Sequence, residues 1–258
     1  MSQPRQAAKL TVEQEPFLIV RSLATQYVSG YRMAEHEHPW RQLLYATSGA
    51  MTVNAGRWSW IIPPGKAVFI PAKCRHSMRM WGEVAMRSLY FPATLDAIAL
   101  NANDCFVLSV TPLLRELVLR VIEDHALDSR VPEQARLAAV LLDEMARAPV
   151  TPLALPLPLD LRAAAVAQDV LASPAGDAGL DDLARHHGAG RRTLERLFRA
   201  ETGMSFGMWR QQARLLHSVS ALAEGKPVTE ASLDAGYASV SAYIAAFKRT
   251  FGCTPGKL

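Results

Sequence analysis

The stretch GYASVSAYIAAFKRTFGCTP, residues 236 to 255, says more about the fold than any other part of the chain. Its Tyr243 and Phe247 are four apart, a spacing that puts two side chains on one helix face, and Gly252 follows where that helix must stop. Gly236 precedes the helix, four residues after the small Ser232. The same arrangement occurs upstream in LDDLARHHGAGRRTLERLFRAETG, residues 180 to 203. There Ala184 precedes Gly188 by four, Leu194 precedes Phe198 by four, and Gly203 follows Phe198 by five, as Gly252 follows Phe247. A small residue lets two helices approach, a glycine permits the sharp turn between them, and the later apolar pair seats the second helix on the first. Each unit therefore predicts a helix-turn-helix. The run SFGMWRQQARLLHSVSALAEG joins them as a helix of about 20 residues, and residues 159–258 read as an all-α domain.

On these residues the C-terminal region resembles the DNA-binding domain of the AraC/XylS family of transcription regulators. GYASVSAYIAAFKRTFGCTP matches the family's second helix-turn-helix with its closing Gly-x-Thr-Pro, and RTLERLFRAETG matches the first. The resemblance implies two recognition helices entering successive major grooves of double-stranded DNA. In GRRTLERLFR the buried positions are Leu194, Leu197 and Phe198, which turns Arg191, Arg192, Glu195, Arg196 and Arg199 outward. Arg192, Glu195 and Arg196 fall on the family's base-reading positions, where arginine can bond bidentately to guanine and glutamate can accept from cytosine. Arg191 and Arg199 are expected at phosphates. In SVSAYIAAFKR the outward positions are Val240, Ser241, Ile244 and Ala245, which offer few hydrogen bonds. Val240, Ser241 and Ala245 are therefore expected to give methyl contact and shape readout, with Ser239, Lys248 and Arg249 on the DNA backbone. Gly190 stands where the family usually places a serine cap, a change costing only about a few tenths of a kcal/mol.

Working toward the N-terminus, PVTPLALPLPLD carries prolines at 149, 152, 156 and 158. It cannot be helical, and residues 149–158 read as an extended, semi-rigid linker between domains. Residues 111–148 precede it with a helical period. TPLLRELVLRVIEDHAL starts with a Thr-Pro cap and carries Leu114, Leu117, Val118, Val121 and Ile122 on one stripe, and VPEQARLAAVLLDEMARA carries Leu137, Val140, Leu141 and Met145. Such a hairpin could close a neighbouring barrel or form a homodimer interface, and the dimer is the expectation. From 17 to 93 the runs are short and strand-like, broken by Gly, Pro and Asn, which implies a small barrel or sandwich.

Within that region HEHPWRQLLY, residues 36 to 45, places two histidines one residue apart. Gly30, His36, His38, Gln42 and Gly49 are spaced as in the first cupin motif, with Gln42 where glutamate commonly sits, and Gly65, Pro71 and His76 resemble the second more loosely. The resemblance implies a cupin barrel, a fold shared by enzymes and by sensor domains of AraC-type regulators. Alternate residues of a strand share a face, so His36 and His38 can both point inward, and Gln42 joins them if Pro39 does not break the strand. With His76 the set suits Zn, Ni, Fe or Cu, while glutamine in place of glutamate weakens the hold on hard cations. Three readings stand open: a divalent transition metal, a small-molecule effector contacting the histidines without metal, and a structural cluster. Cys74 reads as a fourth ligand, a redox-sensitive thiol or a small apolar filler.

The expected fold is thus two-domain β plus α: an N-terminal cupin (double-stranded β-helix) barrel with a helical hairpin, then an all-α domain with two helix-turn-helix units. From Leu180 onward eleven basic residues face seven acidic ones, so this third carries the whole net charge of +4, as a polyanion partner requires. Half of the residues are hydrophobic and a fifth charged, the balance of a globular chain. No apolar run approaches a membrane span, no signal segment precedes the barrel, and three scattered cysteines do not make a disulfide framework, so a cytoplasmic location is expected. The leading reading is an effector-controlled transcription regulator and not an enzyme. A cupin metalloenzyme that also binds DNA is the alternative, against which Glu35 and Glu37 should face away from the histidines and leave no general acid or base beside them. A constitutive DNA-binding protein whose barrel only dimerises is the third reading.

Overall fold

The computed structural model describes residues 16–97, 102–151, 153–174 and 176–257. Two antiparallel sheets face each other. The larger contains β1 (Leu18–Tyr27), β3 (Trp40–Ala46), β6 (Lys66–Ile70), β8 (Val84–Pro92), β9 (Phe106–Ser109), β10 (Ala126–Asp128) and β11 (Val150–Thr151), in the order β10-β1-β8-β3-β6-β9-β11. The smaller contains β2 (Arg32–His36), β4 (Ala50–Ala55), β5 (Trp58–Ile62), β7 (His76–Trp81) and β12 (Ala154–Pro156), in the order β12-β5-β4-β7-β2. The chain changes sheet between β1 and β2, β2 and β3, β3 and β4, β5 and β6, β6 and β7, β7 and β8, and β11 and β12, the winding of a cupin barrel.

Strand alternation explains which residues fill it. Leu44 and Ala46 of β3 face the interior with Met51, Val53, Val68, Ile70, Met78, Met80 and Met86, whereas Leu43 and Tyr45 face the other way with Phe69, Leu89 and Phe91. The second set is the outer face of the larger sheet, and the helical hairpin covers it. Helix α1 (Pro112–Asp124), capped by Thr111 Oγ1 accepting from Leu114 N at 3.1 Å, and helix α2 (Pro132–Arg147) lay Leu114, Leu117, Val118, Val121, Ala138, Leu141 and Met145 on it. Val140, expected on the apolar stripe, is instead 46% exposed, and Ala138 takes the buried place. The stripe of α2 is rotated from the expected one because the helix packs against α1 as well as against β1 and β10 of the larger sheet.

The proline-rich segment is extended as its composition requires, but it is not a free spacer. β11 pairs with β9 and β12 with β5, and Leu153 and Leu155 are buried. Proline lacks only its own N–H, and at a sheet edge the remaining groups still pair, so the run closes both sheets.

Six helices follow: α3 (Leu161–Ala172), α4 (Leu180–His186), α5 (Arg191–Thr202), α6 (Phe206–Ala223), α7 (Val228–Asp234) and α8 (Val240–Phe251), then a 3-10 turn at Pro255–Lys257. The helix α6 docks against the smaller sheet. Trp209, fully buried, donates its indole N–H to Pro156 O at 2.7 Å, and Gln212 Nε2 donates to Ala154 O at 3.3 Å. Arg57 Nη2 donates to Glu201 O at 2.6 Å, and Ser29 Oγ donates to Glu224 Oε1 at 2.8 Å. Gly82, at φ +68°, packs so closely that an added Cβ would lie 2.6 Å from Ala223 O.

Candidate DNA interface and effector site

The helix-turn-helix units form as their spacing predicts. Ala184 and Ser232 are buried at the helix crossings, and Gly188 and Gly236 take left-handed conformations at φ +62° and +74°. Leu194, Leu197 and Phe198 seat α5, and Tyr243 and Phe247 seat α8. Tyr243 donates its hydroxyl to Ser218 Oγ of α6 at 2.8 Å, and burial pushes that phenol up to about 12, so it remains a donor at neutral pH. His187 Nε2 meets Asp169 Oδ2 at 2.7 Å, tying the end of α4 to α3 just before the turn into α5.

Arg191, Arg192, Glu195, Arg196 and Arg199 are all exposed on α5. Arg191 bonds Asp181 at 2.8 Å and Glu195 at 3.2 Å, so these two expected contact residues are already paired. Several other cations of the region also have structural work. Arg210 and Arg214 hold the carbonyls of Pro174, Gly176 and Ala178, Lys226 pairs with Glu230 and Asp234, and Arg185 pairs with Asp182. Among the C-terminal cations whose side chains are described, those without ion pair or hydrogen bond are Arg192, Arg196, Arg199, Lys248 and Arg249. All five sit on α5 or α8. On α8, Ser239 caps the helix, its Oγ accepting from Ala242 N at 3.2 Å, and Ser241 and Ala245 are exposed. Val240 is half-buried, and Ile244, expected outward, packs against the core, while Ala242 shows the open face that the sequence reading missed.

In the barrel, β2 ends at His36, the chain crosses between sheets at residues 37–39 around Pro39, and β3 resumes at Trp40. The break does not disperse the cluster. His36, His38 and His76 bring ligand nitrogens within 4.8 Å of one another. Each Nδ1 lies against a backbone carbonyl, of Ala34 at 2.9 Å, Trp40 at 2.8 Å and Cys74 at 2.9 Å respectively. A carbonyl only accepts, so each neutral ring keeps its proton on Nδ1 and leaves the Nε2 lone pair free. This is the orientation that outer partners impose on metal-binding histidines.

Two details fit a cation. His76 is completely buried and its Nε2 has no hydrogen-bond partner. Burial, with a smaller contribution from His36 and His38, lowers its pKa to about 4 against the pull of the Cys74 carbonyl, so the ring is neutral at physiological pH. Gln42, also buried, lies with Oε1 3.1 Å from His38 Nε2 while its Nε2 donates to Ser88 Oγ and Tyr90 OH, each at 3.1 Å. An oxygen facing an imidazole lone pair is repulsive unless a positive charge lies between them. Half a turn of the carboxamide relieves the contact when none does, with the NH2 toward His38 and the oxygen accepting from the two hydroxyls. Cys74 does not join the ligand nitrogens, because its Sγ turns toward Cys105 Sγ, 3.7 Å away. Glu35 pairs with Arg75 at the surface, and Glu37 is exposed.

Comparison with known proteins agrees with both halves. Residues 19–141 match the AraC-like ligand binding domain family, and residues 183–258 match a helix-turn-helix domain family. The HTH-type transcriptional regulator NimR of Escherichia coli (strain K12) is 31% identical over 222 residues, which cover 86% of this chain and 80% of NimR. The regulator RipA of Corynebacterium glutamicum is 37% identical over 100 residues, covering 39% of this chain and 30% of RipA. Among solved structures, unsaturated fatty acid-bound ToxT from Vibrio cholerae aligns over 93% of this chain and 94% of its own, at 14% identity and a TM-score of 0.37. No helix among the described residues is long and apolar enough to cross a membrane. With an AraC-like ligand-binding domain joined to two helix-turn-helix units, the chain belongs to the AraC family of DNA-binding transcription regulators.

Proposed function

We propose that this regulator responds to an effector held at His36, His38, Gln42 and His76, and that the effector is a borderline transition-metal ion of the Zn, Ni, Fe or Cu class. The observation that carries the reading is the buried, unpartnered Nε2 of His76 beside two more imidazoles. An orphaned buried nitrogen costs about 1–3 kcal/mol, and a bound cation removes that cost. The three histidines would hold the ion through Nε2, and its positive charge would tie the end of β2 to the start of β7. The neutral donor set favours borderline or soft ions over Mg or Ca.

The strand β7 connects that site to the DNA-binding half. Its inward residues run from His76 through Met78 to Met80, and its outward residues end at Trp81. Trp81 meets His217 of α6 edge-on at 5.4 Å, lies under the Arg79 guanidinium at 3.8 Å, and is fixed by its indole N–H donating to Thr52 Oγ1 at 2.8 Å. Helix α6 in turn carries both helix-turn-helix units. Ordering β7 at one end therefore bears on the platform of α5 and α8 at the other, which is the differential contact that control by an effector requires.

On the DNA side, Arg192 and Arg196 read bases and Arg199, Lys248 and Arg249 meet phosphates, with Glu195 reading only when Arg191 releases it. Val240, Ser241 and Ala245 give methyl and shape contact, and Ser239 adds a backbone contact. The chain acts as a homodimer through the outer face of the α1–α2 hairpin, where Leu113 and Val140 are 51% and 46% exposed. Metal analysis of protein prepared without chelator or tag, beside His36→Ala and His76→Ala, tests the effector. Near-stoichiometric metal in the parent chain alone is expected, and substoichiometric metal in all three ends the metal reading.

A further inference from the structure

We propose that Cys74 and Cys105 form a reversible intramolecular disulfide under mild oxidation, and that closing it disturbs the His76 anchor. The two sulfurs lie 3.7 Å apart as free, half-buried thiols, brought together from the β6–β7 loop and the approach to β9. The third thiol, Cys253, belongs to the DNA-binding half, next to the end of α8. The pairing of β6 with β9 places Phe69 opposite Phe106, so the segments carrying the two cysteines are held in register by the sheet itself.

The loop has an unusual backbone. Lys73 takes a left-handed conformation at φ +59° although it has a side chain, donates its N–H to His38 O at 2.8 Å, and is followed by Cys74 N donating to Pro71 O at 3.3 Å. Cys74 thus joins two networks: its sulfur faces Cys105, and its carbonyl receives the His76 Nδ1 proton at 2.9 Å. Bonding must bring the two sulfurs more than an ångström closer, since a disulfide is about 2.05 Å long, and the share of that closure taken by the Cys74 backbone loads the carbonyl that orients His76.

With a hydroperoxide as oxidant the chemistry balances. The Cys74 thiolate attacks the terminal peroxide oxygen, forming an S–O bond and breaking the O–O bond, and the leaving oxygen takes a proton. The Cys105 sulfur then attacks the Cys74 sulfenic sulfur, forming the S–S bond and expelling the hydroxyl as water with the Cys105 proton. Two electrons pass from the thiol pair to the peroxide. Burial pushes the Cys105 thiol above its ordinary value, which makes it the poorer first nucleophile of the pair.

The test treats the full chain with hydrogen peroxide, alkylates the remaining thiols, and maps peptides by mass spectrometry before and after a thiol reductant. Expected is a Cys74–Cys105 linked peptide within single chains, a ~10-fold loss of alkylation at both sites with Cys253 unchanged, and full recovery on reduction. Cys105→Ser should abolish the link. Persistent alkylation of both cysteines, linkage to Cys253, or linkage only between chains overturns the proposal. The coupling to His76 rests on the effector reading and is measured separately, by titrating zinc alone into reduced and oxidised protein. Severalfold weaker binding after oxidation, absent in Cys105→Ser, is expected, and equal binding with the link formed refutes the coupling. If zinc binds neither form, the metal reading and its coupling fall while the link stands on the peptide map.

Discussion

The distribution of free cations makes a quantitative prediction about DNA binding that needs no knowledge of the operator. On a non-specific duplex, affinity falls with salt in proportion to the phosphates neutralised, with a slope of about −0.9 per contact. Arg192, Arg196, Arg199, Lys248 and Arg249 are the unpaired cations among the C-terminal residues whose side chains are described. If all five engage phosphates on non-specific DNA, the logarithmic slope per chain is about −4.5. Arg199→Ala should reduce its magnitude by about 0.9. Arg210→Ala should leave the slope unchanged, because that guanidinium is already held by Gly176 O and Ala178 O. Anisotropy titrations of full-length protein at four or more salt concentrations would read both. A slope untouched by Arg199→Ala but flattened by Arg210→Ala would place the DNA on another face and refute the assignment.

Once an operator is selected from genomic fragments, Arg192→Ala or Arg196→Ala should cost about 1–3 kcal/mol and relax preference at one base pair, whereas Arg199→Ala should weaken all sequences alike; band-shift competition distinguishes the two. Gly82→Ala should destabilise the docking of α6 by about 2–4 kcal/mol, through its left-handed backbone and the 2.6 Å approach to Ala223 O. Gly56→Ala, at φ +54° with open space around it, should cost only about 1–2 kcal/mol by urea unfolding, and equal costs would remove the interface from the explanation. The lowered pKa of His76, about 4, makes chelated protein lose stability as pH falls below the ordinary histidine value toward 4. The neutral ring is the folded form, so this contribution is complete above about pH 6.5, and roughly 2 kcal/mol of it should vanish between about pH 7 and pH 5. Urea unfolding of the parent chain and His76→Gln in chelator measures it, and identical pH profiles would contradict the burial argument.

What the sequence revealed follows from the range of the forces involved. The helix-turn-helix units were legible because Leu194 with Phe198 and Tyr243 with Phe247 encode local helix geometry, and a glycine cannot be disguised. The His36–His38 pair was legible from its spacing, but strand alternation does not place it: β2 ends at His36, and His38 is turned to the cluster in the crossing, its Nδ1 held by Trp40 O. The roles of Arg210 and Arg214 were not legible, because their carbonyl partners lie on a loop more than thirty residues upstream. Neither was the pairing of β11 and β12, since a proline-rich run is extended whether or not an edge strand awaits it. Val140 and Ile244 were misplaced for a related reason: a helical stripe gives the face, and only the partner surface fixes its rotation. The approach of Cys74 to Cys105 likewise depends on the pairing of β6 with β9.

The most direct test of effector control is the affinity of the full chain for its selected operator, measured with saturating zinc and again in chelator. Expected is a change of about fivefold or more in Kd, lost in His76→Ala while non-specific binding is kept. Zinc bound at the cluster with the same Kd in both conditions would contradict it.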